Sequence, residues 1–414
     1  MTDTSAAGWV SRTHRPMGFP EFVLMVAIIM ALNPLAMDVA LPALPDIAHT
    51  YGITDINKVQ SVLSVFLFGF GFGQLFTGPL SDRFGRRPVL MAGIILYSAA
   101  GVLALLAPSL DMLLLARLLQ GLGTSATRVI ATSIVRDCYS GRRMASVVSL
   151  AMMIFMAVPI LAPSFGQLIL LATEWHGLFV ALLVYGVLLL LWTQWRLPET
   201  LPPEGRKSLA PRELFAAFRK VVTTPQTIGY ALAAGGVQGV LFAYVFCSQQ
   251  IFDQIYHLGR LYPLAFSAVA FGIALAGFIN MRLVVRLGMR VISHGALLAL
   301  LVVSGVLLLM TSFWQVPLWL FMLLSCATTL AFGLMMANFT ALAMEPQGDI
   351  AGTASSFYGF VTTLLAVGIG YVIGQDFDGT LRPFAYGAFF CTLATLAVVL
   401  VIERGRLFVP HNRT

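Results

Sequence analysis

Long apolar segments alternate with short polar turns along almost the whole chain. The apolar segments lie at about 20–44, 57–80, 87–107, 110–136, 143–171, 174–196, 226–254, 261–284, 290–312, 315–344, 350–375 and 382–403. A helix needs roughly 20 apolar residues to cross the hydrocarbon core of a bilayer. The pattern therefore predicts an all-α integral membrane protein with twelve transmembrane helices, numbered 1 to 12 in chain order.

One polar connection is much longer than the others. It reads LPETLPPEGRKSLAPRELFAAFRKVVTTPQ (197–226), is rich in proline and charge, and follows the sixth apolar segment. We therefore expect an N-terminal six-helix half at 1–197, a cytoplasmic linker at 198–225 and a C-terminal six-helix half at 226–414.

The two halves share a short motif between their second and third helices. SDRFGRR (81–87) is followed, 203 positions later, by VVRLGMR (284–290), in which one glycine and two arginines recur. A repeat of this kind, together with six helices in each half, fits two pseudo-symmetric halves with a binding site at their interface.

Composition and charge placement narrow the class of protein. Of the 414 residues 58% are hydrophobic and 10% are charged, against about 25% charged in soluble domains. With the amino terminus placed in the cytoplasm, 20 of the 25 Lys and Arg residues fall on the cytoplasmic side. The positive-inside rule thus predicts that both termini are cytoplasmic. The same rule explains the net charge of +7 by topology. We therefore exclude nucleic acid as a partner.

Nothing in the sequence indicates a metal, a cofactor or an enzyme. The four cysteines are far apart and form no C-x-x-C, so we interpret them as small apolar residues of the interior. Metal-ligand spacings of histidine and the phosphate-binding G-x-x-x-x-G-K-[ST] motif do not occur. We expect neither a metal nor a cofactor, and no nucleophile–base cluster indicates an enzyme.

Several motifs resemble those of a known transporter family. GPLSDRFGRRPVL (78–90) resembles the loop signature of the major facilitator superfamily. MDVALPALPDIA (37–48), RLLQGLGTSA (117–126) and VPILAPSFG (158–166) resemble the helix 1, 4 and 5 patterns of its twelve-helix drug:proton antiporters. LPETL (197–201) and ALAMEPQGDIAGTASS (341–356) are similar to the bicyclomycin/chloramphenicol-resistance (Bcr/CflA) branch. The resemblance implies the major facilitator fold and a multi-pass location in the bacterial inner membrane.

Two charged residues within the apolar helices are the candidates for proton coupling. Asp38 lies in helix 1, and carboxylates inside a membrane usually face a cavity or a partner. It can carry a proton, or it can form a fixed structural ion pair. Arg117 in helix 4 lies at a similar depth and is the expected partner of Asp38. The family resemblance also assigns the arginine of this motif to proton coupling.

A second arginine of helix 4 is a candidate substrate contact. Arg128 follows Arg117 by eleven residues, which places both on one helix face about 16 Å apart. Arg128 either binds an acidic group of the substrate or is a structural, membrane-interface arginine. The other candidates are polar or aromatic residues in apolar helices, which bind substrate or hydrogen-bond a neighbouring helix: Asn33, Gln120, Gln238, Tyr244 and Asn338.

The loop after helix 2 is the predicted conformational gate. We expect Asp82 to interact with the start of helix 11 and with Arg136 at the end of helix 4, because helix N-termini attract anions. The alternative is a basic anchor that only sets topology. The remaining gate residues are Gly78, Arg83, Gly85, Arg86 and Arg87.

Two further motifs concern helix packing and bending. Gly69 and Gly73 in FGFGFGQ predict a close contact between helices. Pro159 and Pro163 lie one turn apart in helix 5 and kink it. The resemblance implies a role for these prolines and Gly166 in antiporter rocking, whereas the residues alone equally allow a packing kink.

The function expected from these features is proton-coupled efflux of small amphipathic drugs or metabolites by a monomer. Its partners are then the small-molecule substrate, protons and the lipid bilayer. The alternatives are an importer or metabolite permease of the same fold, a membrane enzyme, and a receptor that transports nothing.

Overall fold

The computed structural model describes residues 17–206 and 211–409. Within these residues twelve helices of 20 residues or more follow one another, and no strand occurs. The twelve helices are α1 (Phe19–Asp38), α2 (Ser61–Phe84), α3 (Arg86–Leu105), α4 (Leu110–Cys138), α5 (Gly141–Leu170), α6 (His176–Arg196), α7 (Pro225–Gln250), α8 (Tyr262–Leu287), α9 (Met289–Phe313), α10 (Leu318–Met344), α11 (Ala351–Gln375) and α12 (Arg382–Ile402).

These helices confirm the predicted all-α membrane architecture. Eleven of them are long and apolar enough to cross a membrane. The exception is α4, whose 29 residues are sufficient in length but include Asp111, Arg117 and Arg128. Arg117 and Gln120 are nevertheless buried, since α4 packs against α1, α2 and α3.

Helix α1 ends earlier than the sequence predicts. The apolar segment continues to residue 44, but the helix stops at Asp38 and is followed by a 3₁₀ turn (Leu41–Ala43) and a short helix (Leu44–Thr50). The physical reason is Pro42, which has no N–H to donate to the carbonyl oxygen of Asp38 four residues earlier. The break places Asp38 at a helix terminus inside the membrane segment.

Each set of six helices packs mainly within itself. In the first half α4 lies against α2 and α3, and in the second half α10 lies against α7, α8 and α9. Two long helix pairs join the halves, α2 with α11 and α5 with α8. The segment between α6 and α7 includes a helix (Pro211–Thr223), whose Phe218 ring contacts Phe357 of α11 at a centroid distance of 5.7 Å.

The repeated motif forms the same turn in both halves. Gly85, between α2 and α3, has φ 102° and ψ 159°. Gly288, between α8 and α9, has φ 84° and ψ 159°. Both conformations lie where L-residues with a side chain are strained, so each glycine ends one helix and begins the next. We call the end of the bundle that carries these two turns the basic end, and the other the opposite end.

The predicted close contact of helix 2 is present at its crossing with α4. A Cβ on Gly69 would overlap the carbonyl oxygen of Leu118, and one on Gly73 would lie 3.1 Å from the carbonyl oxygen of Leu122. On the facing helix, a Cβ on Gly121 would overlap the carbonyl oxygen of Phe66. The small residues therefore bring the two backbones together.

Candidate functional site

Asp38 lies at the broken end of α1, where it is only 5% exposed. Its electrostatic neighbour is the hydroxyl group of Tyr262 at the start of α8, in the other half. That hydroxyl lies 3.1 Å from the Ser248 hydroxyl of α7. Asp38 forms no salt bridge within the described part of the chain. It is thus a buried carboxylate, without a cationic partner, at the boundary between the halves.

Arg117 does not pair with Asp38 in this conformation, contrary to the expected ion pair. Its guanidinium donates to the carbonyl oxygens of Ala36 and Val62 at 3.1 Å each, and to the Gln120 side-chain oxygen at 3.0 Å. The ring of Phe66 lies 4.3 Å from its central carbon. The arginine therefore joins α4 to α1 and α2.

The break in α1 explains why Ala36 can accept a hydrogen bond from Arg117. In a regular helix the N–H of Ala40 would donate to Ala36, but here it donates to the carbonyl oxygen of Met37 at 3.3 Å. The carbonyl of Ala36 is left without a helical donor, and a buried carbonyl needs a partner. Arg117 supplies that partner two residues before Asp38, so the same arginine fixes the position of the carboxylate segment.

Arg128 lies on the same face of α4 but in a different environment. Its side chain is exposed, although the residue lies within a long helix about 12 Å from Arg136 near the basic end. Its electrostatic neighbour is the Tyr358 hydroxyl of α11, which contacts the Thr340 hydroxyl of α10 at 3.0 Å. Arg128 therefore faces the second half across a gap that solvent reaches.

Two other polar candidates lie close to this face of α4. Asn33 of α1 is partly exposed and donates to the Thr124 hydroxyl at 3.3 Å. Gln120 is 1% exposed and accepts a hydrogen bond from Arg117, so it is part of the hydrogen-bonded group around Arg117.

Gln238 of α7 is partly exposed and has no hydrogen bond among the described residues.

The structure places Tyr244 and Asn338 inside the second half. The Tyr244 ring stacks on Phe266 of α8 and contacts Phe384 of α12, at centroid distances of 5.8 and 6.4 Å. Asn338 of α10 is 2% exposed and donates to the side chain of Asn280 of α8 at 2.8 Å. In this conformation Asn338 makes the helix–helix hydrogen bond that was the alternative to a substrate contact.

At the basic end the predicted gate residues form a charge cluster. Arg86 is 4% exposed and donates to Asp82 on α2, and to Asp137 of α4 at 3.0 Å. It also donates to the Ser81 hydroxyl at 2.8 Å. The α4 residue of this cluster is thus Asp137 and not the expected Arg136, which is exposed.

Glu199 of the LPETL motif closes this cluster from the segment after α6. Its carboxylate accepts the backbone N–H groups of Arg86 at 2.9 Å and Arg87 at 3.2 Å. These N–H groups open α3 and have no helical acceptor. A Cβ on Gly85 would overlap this carboxylate. Because Gly85 has no side chain, the Glu199 carboxylate can cap the start of α3. Arg83, also a predicted gate residue, is exposed.

The basic end of α2 also contacts α11. A Cβ on Gly352 would lie 3.8 Å from a carboxylate oxygen of Asp82, and one on Gly78 would overlap the Ser356 hydroxyl. Asp82 therefore lies beside the first turn of α11, at the position where we expected it to meet that helix start.

Helix α5 contains both prolines of its motif and packs against the break in α1. A Cβ on Gly166 would overlap the carbonyl oxygen of Val39 and lie 3.0 Å from the ring of Pro42. Ser267 of α8 donates to the carbonyl oxygen of Ile160, between Pro159 and Pro163. The motif therefore joins the Asp38 segment to the other half.

Helix α8 is buried over only part of its length. The buried residues of α8 all precede residue 277, and from there to Leu287 each residue is partly or fully exposed. The part of α8 towards the basic end is therefore less covered by protein than the rest of the helix.

A cluster of amides, Asn57, Gln60, Gln250 and Gln375, closes the opposite end. Asn57 donates to the carbonyl oxygens of Gln375 at 3.0 Å and Phe377 at 2.8 Å, and Gln375 donates back to the carbonyl oxygen of Asn57 at 2.7 Å. Gln250 donates to the Asn57 side chain at 2.9 Å and accepts from Gln60. This amide cluster joins the two halves without any titratable group.

We expect Gly374→Ala to weaken the amide cluster, because the added methyl group would overlap the side-chain oxygen of Gln60. Opening of the opposite end should then increase, seen as faster labelling by a membrane-impermeant maleimide of a cysteine placed at Val59, which is 2% exposed, in a background without the four native cysteines. Gly368→Ala on the same helix, where nothing lies within 4 Å of the new carbon, is the control. Equal labelling rates in the two variants would contradict this role.

Sequence reasoning missed Asp137 and the amide cluster. Each of these residues is a single polar side chain at or near a helix end, where polar residues are ordinary. The sequence signal is weak because the partners come from segments 51 to 320 residues away.

All four cysteines are free. The described residues contain no group of three or more His, Cys, Asp or Glu side chains that could hold a metal ion.

Comparison with known proteins agrees with the helical fold described above. The model of the Major Facilitator Superfamily matches residues 26–371. The chain is 27% identical to the bicyclomycin resistance protein homolog of Haemophilus influenzae over 92% of this chain and 96% of that protein. It is 29% identical to multidrug resistance protein D of Escherichia coli over 82% and 84% of the two chains. The fold matches the crystal structure of a D-xylose–proton symporter with a TM-score of 0.70, at 15% identity, over 91% and 97% of the chains.

Proposed function

The chain belongs to the Major Facilitator Superfamily, and we propose that it exports small amphipathic compounds in exchange for protons. Two relatives that align along most of the chain are named for resistance to bicyclomycin and to multiple drugs, which supports drug efflux. A transporter of this kind acts without an enzyme active site and without a cofactor, because each charge moved across the membrane supplies about 2.3 kcal/mol per 100 mV.

The observation that carries proton coupling is the environment of Asp38. Burying a charged carboxylate without a cationic partner costs much free energy, whereas burying the protonated form costs little. Its electrostatic neighbour is Tyr262 of the other half, so opening the opposite end would separate the two groups and admit water. The carboxyl group would then hold a proton while the halves are closed there and exchange it when they part.

Arg117 acts in this proposal as a positioning residue for Asp38. Its hydrogen bond to Ala36 fixes the segment that ends in the carboxylate. Its other bonds go to α2 and α4, so a movement of α1 is coupled to the rest of its half. Proton coupling therefore does not require a direct ion pair between the two residues.

The gate residues fit an alternating-access cycle. At the basic end Asp82 lies beside the start of α11, and at the opposite end the amide cluster joins the halves. We propose that these two sets of contacts break in turn as the halves rock. The α5 motif, which touches both the α1 break and α8, would transmit the movement.

The proposed location is the inner membrane of a bacterium, with the basic end and both termini in the cytoplasm. The clustering of Lys and Arg at one end supports this orientation. The proposed working unit is a monomer, because the candidate site lies between the two halves of one chain.

Transport by purified protein in proteoliposomes tests the proposal. A pH gradient that is acidic inside, imposed on liposomes with the basic end outward, should drive accumulation of an exported drug, and drug addition should release protons from the lumen. Empty liposomes are the control. Accumulation driven only by a gradient of the opposite sign would indicate a proton-coupled importer or permease instead.

A further inference from the structure

The environment of Arg128 indicates the chemistry of the substrate. Resting on the proposed function, we infer that the transported compounds carry an anionic group and that Arg128 binds that group from the gap between the halves.

Arg128 differs from the three buried arginines of the described residues. Arg86, Arg117 and Arg290 each donate hydrogen bonds to carboxylates or carbonyl oxygens. Arg128 has no salt bridge within the described part of the chain, and no hydrogen bond from its guanidinium is present there. A cation in this position is costly unless a counter-charge or water reaches it, and an anionic group that replaces the water would form charge-assisted hydrogen bonds with the guanidinium.

None of the twelve long helices carries an acidic residue near the depth of Arg128. Acidic residues of these helices all lie within three residues of a helix end, and α7 to α12 contain no Asp or Glu at all. Asp38 lies at the far end of α1, away from the basic end. The helices of the second half therefore offer Arg128 neutral groups, such as the hydroxyls of Tyr358 and Thr340.

The geometry of the gap admits a small ligand. α4 has no extended packing contact with α10 or α11 in the described part of the chain, so Arg128 spans a space between helices of different halves. Its side chain is exposed, and so is the part of α8 that lies towards the basic end. A ligand entering from that end would reach the guanidinium after about 12 Å.

The guanidinium fixes the class of group that binds. The guanidinium is planar and permanently charged, and it pairs with a carboxylate, sulfonate or phosphate through two parallel hydrogen bonds. The Tyr358 hydroxyl could donate a further bond to the same oxygen atoms. Amphipathic organic acids, with an apolar body against the surrounding helices, match this arrangement best.

A matched pair of probes tests the inference. Dansylglycine carries a carboxylate, and dansylglycinamide replaces it with a neutral amide of nearly equal size. Fluorescence titration of the purified full-length protein should show tighter binding of the carboxylate. In Arg128→Gln the affinity for dansylglycine should fall by roughly 10- to 100-fold, because a hydrogen bond to a charged group contributes about 1.5–3 kcal/mol, while binding of the amide stays the same.

Two further variants make the result specific. Arg128→Lys keeps the charge and should retain part of the preference for the carboxylate. Arg282→Gln removes an exposed arginine on the outside of α8 and should bind both probes as the wild type does. Size-exclusion chromatography checks that each variant is folded.

Three outcomes would overturn the inference. Equal losses for both probes in Arg128→Gln would mean that the arginine joins the halves through Tyr358. Equal affinity of the wild type for the amide and the acid would show that the charge of the carboxylate does not contribute to binding. A wild type that binds neither probe, yet exports a neutral drug against a pH gradient, would exclude the substrate class while leaving the proposed function intact.

Discussion

Replacing Asp38 by Asn should abolish proton-driven accumulation by this protein and leave it folded. Asparagine has nearly the same shape as a protonated aspartate, and it cannot release a proton. The side chain is 5% exposed, so removing its capacity for charge should not lower the stability of the folded state. At a membrane potential of 100 mV, the loss of one coupled charge corresponds to about 50-fold less accumulation.

Two transport modes separate coupling from binding in this variant. Gradient-driven uptake into proteoliposomes should fall to the level of empty liposomes. Exchange of labelled for unlabelled substrate at equal pH, which needs no net proton movement, should persist. Asp46→Asn is the matched control, because Asp46 lies eight residues further along the same segment and is exposed. Gradient-driven accumulation that survives in Asp38→Asn would remove Asp38 from the proton pathway.

Replacing Gly121 by Ala should strongly destabilise the first half. The new methyl group would overlap the carbonyl oxygen of Phe66 and lie 2.8 Å from the amide nitrogen of Phe70. Both are backbone atoms, so no side-chain rotation can relieve the overlap, and α2 must move away from α4. We expect a loss of about 3 kcal/mol or more, at the upper end of overpacking in well-packed cores.

The same substitution should impair transport, because the crossing lies next to the arginine site. Phe66 packs on Arg117 and Val62 accepts its hydrogen bond, so a displaced α2 withdraws both. A lower apparent melting temperature in detergent and a lower transport rate are the measurements. Gly295→Ala, with no atom within 4 Å of the added carbon, should melt like the wild type. A Gly121→Ala protein as stable as this control would show that the crossing tolerates a side chain.

The sequence allowed most of the fold to be predicted. Membrane spans are visible in a single sequence because lipid requires about 20 apolar residues in each helix, and the predicted all-α class and superfamily are confirmed. The repeat was also visible, since the turns at Gly85 and Gly288 need a residue without a side chain. The end of α1 was predicted six residues too late, because apolar character continues past the point where Pro42 stops the helix.

The candidate site could be predicted only in part. Charged residues inside apolar helices stand out because each is costly there, which is how Asp38, Arg117 and Arg128 were found. Their partners were not visible. The Arg117 guanidinium binds two backbone carbonyls and a glutamine side chain, and backbone carbonyls carry no sequence signal. The cluster around Arg86 uses Asp137, the neighbour of the predicted Arg136, because one step along a helix turns the side chain by about 100°.

The sequence by itself therefore determined which segments are apolar enough to cross a membrane, where the long polar connection lies and which charges within apolar segments need an explanation. These properties depend on the cost of placing each residue in lipid, which is local. Only the tertiary structure decided that Asp38 is buried without an ion pair to Arg117, and that Arg128 has no counter-ion among the described residues. Such pairings depend on helix rotation and on the distance between helices, which packing contacts from the whole chain set together.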